Sequence, residues 1–289
     1  MKFFQFIDKN NNSKMGVELD NRKYDFTQIL DSRMYNSLQS IIEAGKFTCD
    51  FLTNIINETE TKNELEKYKI TTEIKFDIPI KRPEKILCFG VNYVAHAIEG
   101  DNPIPDEPIM FGKFNNTLLP HNGIIEFPKN IERVDHEIEL GVIIAKEGKN
   151  IPEKNAMEYV AGYTIINDIS ARKMQIEDLD KSHPWLRSKG YDTFCPVGPY
   201  LVPAFAIPDP YNIDLTLKVN GKIKQQSNTS RMIFKLPRLI NFISEIMTLK
   251  PGDIICTGTP EGISEIIDGD TVTCELTGLG ILSNSVKVD

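Results

Sequence analysis

The stretch VDHEIELGV, residues 134–142, places two glutamates, Glu137 and Glu139, two positions apart in a run that is otherwise typical of a strand interior. Alternate side chains of a strand point to the same face, so the two carboxylates are expected to emerge side by side. Neighbouring carboxylates repel each other unless water screens them, a proton is shared or a cation lies between them. Taken alone, the pair is most simply explained as two solvated residues on the wet face of a strand.

A third carboxylate follows in GYTIINDISAR, residues 162–172. There an apolar strand ends on Asp168, a residue type poorly suited to strands unless it has a partner. One short helix is predicted between this strand and the strand that carries the glutamates, and such connections often return the chain beside its starting strand. We therefore expect Asp168 to lie against Glu137 and Glu139.

Three carboxylates that converge in a partly buried place need compensating positive charge, because each ionised group removed from water is costly on its own. Oxygen-only ligation indicates Mg²⁺, Mn²⁺ or Ca²⁺, and carboxylates with open water positions suit Mg²⁺ or Mn²⁺ best. Zinc is disfavoured because the four histidines show no H-x-H or H-E-x-x-H spacing. Glu137, Glu139 and Asp168 are thus predicted to bind Mg²⁺ or Mn²⁺, with Ca²⁺ as the remaining candidate.

A candidate proton-transfer pair lies in GVNYVAHAIEG, residues 90–100, which is a short helix candidate. His96 and Glu99 are three positions apart and therefore neighbours on one helix face. A carboxylate beside an imidazole raises its basicity, so the pair could abstract a proton from water near neutral pH. The alternative is an ordinary surface helix.

Three further residues could act on a bound substrate. Arg172 and Lys189 offer fixed positive charge for a substrate carboxylate, although either could equally be an exposed cation. Thr259 lies in CTGTP, residues 256–260, directly after a predicted strand. The Gly258 amide and the Thr259 hydroxyl could stabilise a developing oxyanion there, while a plain turn is the simpler explanation.

These residues must be positioned by the elements around them. Short strands separated by Asn-rich turns are predicted over residues 1–30, and helices over residues 32–68. The turn KRPEK that follows indicates a boundary between a small N-terminal domain, residues 1–80, and a catalytic domain, residues 84–289.

Beyond residue 85 most turn signals are of the β kind, including an Asn220-Gly221 hairpin, and few helices are predicted. Those helices are expected near residues 92–99, 152–160 and 236–247. The predicted fold class is α+β and strand-dominated, a mixed β-roll or β-sandwich with a small N-terminal β/α region.

Composition narrows the class of partner. A net charge of -8 argues against nucleic acid or an anionic membrane, because both favour clustered lysine and arginine. The five cysteines are odd in number and never arranged as C-x-x-C, which is typical of reduced thiols. No apolar run approaches membrane-spanning length, and the N-terminus lacks the apolar core of a secretory signal. A small-molecule partner and a cytoplasmic location are therefore expected.

Taken in order, several motifs resemble the fumarylacetoacetate hydrolase family over roughly residues 84–289. They are GVNYVAHAIE, PIMFGKF, VDHEIELGVII, VAGYTIINDISAR, WLRSKGYDTFCPVGP and GDIICTGTPEGI. The resemblance implies a mixed β-roll fold, usually in a homodimer, with Mg²⁺ or Mn²⁺ held by the E-x-E pair and the aspartate of N-D-x-S-A-R. Those positions are Glu137, Glu139 and Asp168.

By the same match, His96 and Glu99 fall on the catalytic pair of acylpyruvate hydrolase relatives. Substrate-pocket positions fall on Arg172, Gln175, Lys189 and Thr259. Two departures stand out. KILCFGVNY has no acid where fumarylacetoacetase has a further metal-binding aspartate, so the chain resembles the smaller three-carboxylate members. The usual S-A-R-D is S-A-R-K here, which places Lys173 where an acid is common.

The expected activity is hydrolysis of a carbon–carbon bond in a small 2-oxo acid, either an acylpyruvate or a β-diketo acid. His96 and Glu99 would activate water, and Thr259, Gln175 or Lys189 would hold the oxyanion. Isomerisation of a hydroxymuconate-like acid and decarboxylation of an oxaloacetate-like acid are alternatives at the same metal site. An alternative of another class is a metal-dependent binding protein without turnover.

Overall fold

The computed structural model describes residues 1–30 and 34–289. Strands dominate this described part of the chain. They are β1 (Lys2–Ile7), β2 (Ser13–Leu19), β3 (Arg22–Asp25), β4 (Lys75–Asp77), β5 (Ile86–Gly90), β6 (Ile109–Lys113), β7 (Leu118–Leu119), β8 (Ile124–Phe127), β9 (Val134–Asp135), β10 (Ile138–Ile144), β11 (Val160–Asn167), β12 (Ser170–Ala171), β13 (Cys195–Pro203), β14 (Asp214–Val219), β15 (Lys222–Asn228), β16 (Ile254–Cys256), β17 (Thr271–Leu276) and β18 (Gly280–Val288).

The α-helices are fewer than the strands in the described residues, which confirms the predicted strand-dominated α+β class. They are α1 (Phe26–Ile29), α2 (Leu38–Glu43), α3 (Cys49–Thr61), α4 (Val94–Glu99), α5 (Arg172–Asp180), α6 (Leu186–Lys189) and α7 (Leu236–Ile246). No helix in residues 1–30 or 34–289 combines the length and the apolar character needed to span a membrane.

Two sheets form the body of the molecule. The larger has eleven strands, nine of them in the order β3-β2-β1-β13-β11-β10-β16-β5-β6, and the smaller has five in the order β15-β14-β17-β18-β8. Leu140 and Val142 of β10 share one buried cluster with Leu215 and Leu217 of β14 and Val272 of β17. The two sheets therefore pack face to face, as in the predicted sandwich.

The other face of the large sheet is covered by the N-terminal helices. Ile143 and Ile166 of the sheet share a second buried cluster with Leu38, Ile41 and Leu52 of α2 and α3. Every residue of β10 is consequently buried, because apolar layers cover both faces of this strand. The wet strand face on which two solvated glutamates would lie is absent from the described part of β10.

The N-terminal region continues the large sheet rather than standing apart from it. Strand β1 pairs with β13 in antiparallel orientation, with Phe3 opposite Leu201 and Phe4 opposite Tyr200. The domain division at residues 80–84 stays a prediction. The predicted helical stretch of residues 32–68 contains α2 and α3, and its residues 32 and 33 lie outside the described residues.

Local predictions beyond residue 85 agree with the structure, with three differences. Helices α5 and α6 were not among the predicted helices. The predicted hairpin is present, since Asn220 and Gly221 join β14 and β15 with φ of 50° and 77°, as a type I′ turn requires. Residues 153–159 form a 3₁₀ helix rather than an α-helix. Glu137 lies between β9 and β10 rather than inside a strand.

Candidate active site

The three predicted metal-binding carboxylates meet at one edge of the large sheet. Glu139 lies at the start of β10, Glu137 directly before it, and Asp168 directly after β11. Because β10 and β11 are antiparallel neighbours, the start of one strand lies beside the end of the other. Carboxylate oxygens of the three residues lie within 4.8 Å of one another, and all three side chains are buried. The convergence predicted from the sequence is confirmed.

Backbone and side-chain hydrogen bonds fix this edge. The Asp168 amide donates to the Glu137 carbonyl over 2.8 Å, and the Glu137 amide donates to the Asn167 side-chain oxygen over 2.8 Å. The Ser170 hydroxyl donates to Glu137 Oε1 over 3.0 Å. The carboxylates are therefore held in place by the strand ends before any ligand arrives.

Two buried lysines contact the cluster. Lys189 Nζ donates to Glu137 Oε2 over 2.9 Å and to Asp168 Oδ2 over 2.7 Å. Lys113, at the end of β6, donates to Asp168 Oδ1 and, over 3.1 Å, to the Ile169 carbonyl. The sequence predicted a role for Lys189 but none for Lys113. The available signal was a lysine at the end of an otherwise apolar strand, within PIMFGKF.

Arg172 completes the positive charge around Glu137. Its guanidinium donates to Glu137 Oε1 and to the Gln175 side-chain oxygen, and its Nε donates to Asp135 Oδ2 over 2.9 Å. Burial alone would raise the pKa of Glu137, but the charges of Lys189 and Arg172 hold this pKa well below its usual range. Glu137 is therefore kept ionised despite its burial.

Glu139 has a different environment from Glu137. Its Oε2 accepts a hydrogen bond from the Gly258 amide over 2.8 Å, and among the described residues no lysine or arginine forms an ion pair with it. Burial, together with the negative charges of Asp168 and Glu137, raises its pKa well above the usual range. The protonated form of Glu139 is thus favoured in the protein alone, and a bound cation would stabilise its ionised form.

The donor set fits a hard divalent cation. Three buried carboxylates supply only oxygen atoms, and their spacing lets one ion contact all three residues. Gly258 supports this arrangement from the turn after β16, where its φ is +95°. A side chain there would meet Asn92 at 2.7 Å, so only glycine brings this amide to Glu139 without displacing the backbone.

The predicted proton-transfer pair forms on α4. His96 Nδ1 lies 3.1 Å from Glu99 Oε2, and Glu99 Oε1 accepts a hydrogen bond from the Gly262 amide over 2.9 Å. Burial alone would raise the pKa of Glu99, but the hydrogen bonds from His96 and from the Gly262 amide lower it. An ionised Glu99 can only accept, so His96 Nδ1 carries the proton and Nε2 is the nitrogen with the available lone pair.

A cavity of about 730 Å³ connects the carboxylates with this pair. Seven of the nine predicted site residues line it: His96, Glu137, Asp168, Arg172, Gln175, Lys189 and Thr259. The other two lie behind lining residues, Glu99 behind His96 and Glu139 in the carboxylate cluster. Lys173, the departure from the family pattern, does not line the cavity and pairs with Glu132 at the surface.

Gln225 of β15 is a second residue that sequence reasoning missed. Its Nε2 donates to Thr259 Oγ1 and to the Pro260 carbonyl, both over 2.8 Å, and its Oε1 accepts from the Ile138 amide over 3.1 Å. The Thr259 hydroxyl in turn donates to the Ile138 carbonyl over 2.9 Å. The small sheet thus fixes the turn that carries Thr259. KIKQQSN is typical of an exposed hairpin strand and gave no signal for this role.

Comparison with known proteins identifies the class. Residues 85–287 match the model for the fumarylacetoacetate (FAA) hydrolase C-terminal domain. The chain therefore belongs to the fumarylacetoacetate hydrolase family, and the resemblance drawn from its motifs is confirmed.

The chain is similar to a tautomerase and to two hydrolases of known structure. The chain is 45% identical to the mitochondrial oxaloacetate tautomerase fahd2 of Xenopus laevis over 215 residues, which is 72% of this chain and 67% of that protein. It is similar to the solved fumarylacetoacetate hydrolase of Exiguobacterium antarcticum, with a TM-score of 0.85, 30% identity and complete coverage of both chains. It is also similar to maleylpyruvate hydrolase of Sphingobium sp. SYK-6, solved with manganese(II) and pyruvate, with a TM-score of 0.80, 27% identity and coverage of 100% and 99%.

These relatives include a tautomerase and hydrolases, and their names specify small organic acids. A divalent cation at the carboxylate cluster agrees with the manganese(II) complex of the Sphingobium enzyme. The homodimer and the cytoplasmic location stay predictions.

Proposed function

We propose that this protein is a divalent-metal-dependent enzyme that interconverts the keto and enol forms of a small 2-oxo acid. The observation that carries the proposal is the presence of the buried carboxylate cluster and the His96–Glu99 pair at one cavity. The reaction type is supported by the 45% identical oxaloacetate tautomerase of Xenopus laevis.

Glu137, Glu139 and Asp168 would hold Mg²⁺ or Mn²⁺. When bound, the cation would supply Lewis acidity to the carboxylate and keto oxygens of a 2-oxo acid. Lys189 and Arg172 keep Glu137 ionised and ready for this role, because their charges lower its pKa.

The chain's own residues can move the proton. His96 Nε2 removes a proton from C3 of the keto form, and Glu99 stabilises the resulting imidazolium through Nδ1. The same imidazolium then delivers that proton to the C2 oxygen, which gives the enol and restores the neutral histidine. Thr259 and Gln175 also line the cavity and can orient the 2-oxo acid.

A second candidate is the hydrolysis expected from the sequence, in which the acid is an acylpyruvate. A cavity of about 730 Å³ offers more room than a four-carbon acid needs, and this observation favours a longer substrate. His96 would then take a proton from water, and the water oxygen would add to the distal carbonyl. The bond between that carbon and C3 would break, and C3 would take up the proton.

The experiment follows keto–enol exchange of oxaloacetate and cleavage of acetylpyruvate by ultraviolet absorbance, using dialysed protein with and without Mg²⁺ or Mn²⁺. The expected result is cation-dependent turnover of at least one acid, with kcat reduced about 10²–10⁴-fold in His96→Gln. His183→Gln is the matched control, because that histidine is exposed and lies outside the cavity. Cation binding without turnover of any acid would refute the proposal and favour a binding protein.

A further inference from the structure

The cavity has two chemically different ends. The inner end holds the carboxylate cluster, and the outer end is walled by aliphatic side chains from three segments. Ile104 precedes β6, Ile109 begins β6, and Ile176 and Leu179 lie on α5. These four side chains are 55%, 40%, 50% and 50% exposed. Clustered apolar side chains open to solvent beside a polar site are typical of a surface that a ligand covers.

The ring of Trp185 extends this apolar wall inward. It lines the cavity and packs edge-on against Phe111, with ring centroids 5.3 Å apart. The apolar surface therefore continues from the mouth towards the carboxylate cluster. A substrate anchored at the inner end would pass along this wall.

The charged groups at the outer end are all acidic. Asp106, Glu107 and Asp180 line the cavity there. Among the described residues that line the cavity, the cations are Arg172 and Lys189, and both are ion-paired to the carboxylate cluster.

Neighbouring cations do not alter this pattern. Lys173, Lys181 and Arg187 lie on or next to α5 and α6, but none of them lines the cavity. Lys173 pairs with Glu132, and Arg187 pairs with Asp178 over 2.6 Å. A second carboxylate on a substrate would thus face like charges and apolar surface at the outer end.

We propose that the substrate carries a single carboxylate, that of the 2-oxo acid itself, and ends in an uncharged apolar group of about four or more carbons. This group lies against Ile104, Ile176, Leu179 and Trp185. The inference rests on the proposed function for the position of the 2-oxo acid. It goes beyond that function in excluding dicarboxylates as the preferred substrates, although the tautomerase relative is named for oxaloacetate.

Two unreactive analogues of equal size test the inference. N-isobutyloxamate ends in an apolar group, and N-oxalylglycine ends in a carboxylate of the same shape. Both retain the oxo-acid unit. Each is titrated calorimetrically into the Mn²⁺-loaded protein. Because a buried CH₂ group improves affinity roughly fourfold, N-isobutyloxamate is expected to bind about tenfold or more tightly.

Failure of the inference and failure of the proposed function would give different binding results. Equal or tighter binding of N-oxalylglycine overturns the inference and leaves the proposed function intact. Failure of both analogues to bind overturns both, since neither would then find an oxo-acid site.

A pair of variants tests where the apolar group of the ligand lies. Ile176→Lys introduces a cation at the outer end and is expected to reduce the preference for N-isobutyloxamate at least about fivefold. Ile246→Lys is the matched control, because Ile246 is 54% exposed at the end of α7 and does not line the cavity. An unchanged preference in Ile176→Lys would contradict the assigned position of the apolar group.

Discussion

Replacing Glu139 by glutamine should change the stability of the protein in opposite directions without and with a divalent cation. In chelator, the substitution removes a buried negative charge that lies within 4.8 Å of two other carboxylates. Two unit charges at that separation repel by roughly 3.5 kcal/mol at an effective dielectric constant of 20. Proton uptake by Glu139 relieves part of this repulsion, because its pKa is raised. We therefore expect Glu139→Gln to be more stable by about 1–2 kcal/mol in chelator at pH 7.5.

With Mn²⁺ the order should reverse. At a free concentration 100 times its Kd, a bound ion stabilises the wild-type protein by about 2.7 kcal/mol. A variant that binds 100-fold more weakly gains only about 0.4 kcal/mol at the same concentration. At about 2–4 °C per kcal/mol, the wild-type Tm should rise by roughly 5–11 °C and that of the variant by less than about 2 °C.

Differential scanning calorimetry with EDTA and with Mn²⁺ measures both effects. Glu275→Gln is the matched control, because this glutamate is about half exposed and pairs with Lys218 over 3.9 Å at the surface. A Glu139→Gln variant that is destabilised in EDTA, yet gains as much stability from Mn²⁺ as wild type, would show that Glu139 neither repels the other two carboxylates nor binds the cation.

Three other substitutions test separate parts of the structure. Glu99→Gln should lower kcat by roughly 10²–10⁴-fold with little change in Tm, because it removes the negative charge that stabilises the His96 imidazolium. An unchanged kcat would exclude this role of Glu99. Lys113→Met should lower the free energy of unfolding, measured in urea, by about 3–5 kcal/mol, because it breaks a fully buried ion pair. The control Lys287→Met should lower it by less than about 1 kcal/mol, because Lys287 is half exposed. Burial would raise the pKa of Glu18, but hydrogen bonds from Tyr200 and Lys23 lower this pKa below its ordinary 4.5. The stability that Glu18 contributes is therefore present above pH 4.5 and is lost as the pH falls through the folded-state pKa. Glu18→Gln should therefore cost about 1.5–3 kcal/mol at pH 7 and progressively less below pH 4.5, and a gap that is independent of pH would contradict this.

The sequence predicted those features of the site that depend on neighbouring strands or on helical spacing. The convergence of Asp168 with Glu137 and Glu139 followed from strand adjacency, and the pairing of His96 with Glu99 followed from helical spacing. Both depend on local geometry, which residue type and spacing determine directly.

Features that depend on packing between distant segments were not predictable in the same way. Lys113 contacts Asp168 from β6, which three strands separate from β11 in the large sheet, and its own strand does not indicate a buried partner. Gln225 acts from the small sheet, so its role follows from how the two sheets pack. The surroundings of the glutamates also come from distant segments, because Arg172 of α5 and Lys189 of α6 contact Glu137 and the Gly258 amide contacts Glu139.

We propose that the three carboxylates bind one hard cation, which in turn contacts a 2-oxo acid. Electron paramagnetic resonance of Mn²⁺ with ¹⁷O-enriched pyruvate tests it most directly. We expect one bound Mn²⁺ per chain, whose signal broadens when labelled pyruvate replaces unlabelled pyruvate, and we expect Glu137→Gln to lose this tight binding. A Mn²⁺ signal identical to that of the free ion, or a bound signal unaffected by the label, would contradict it.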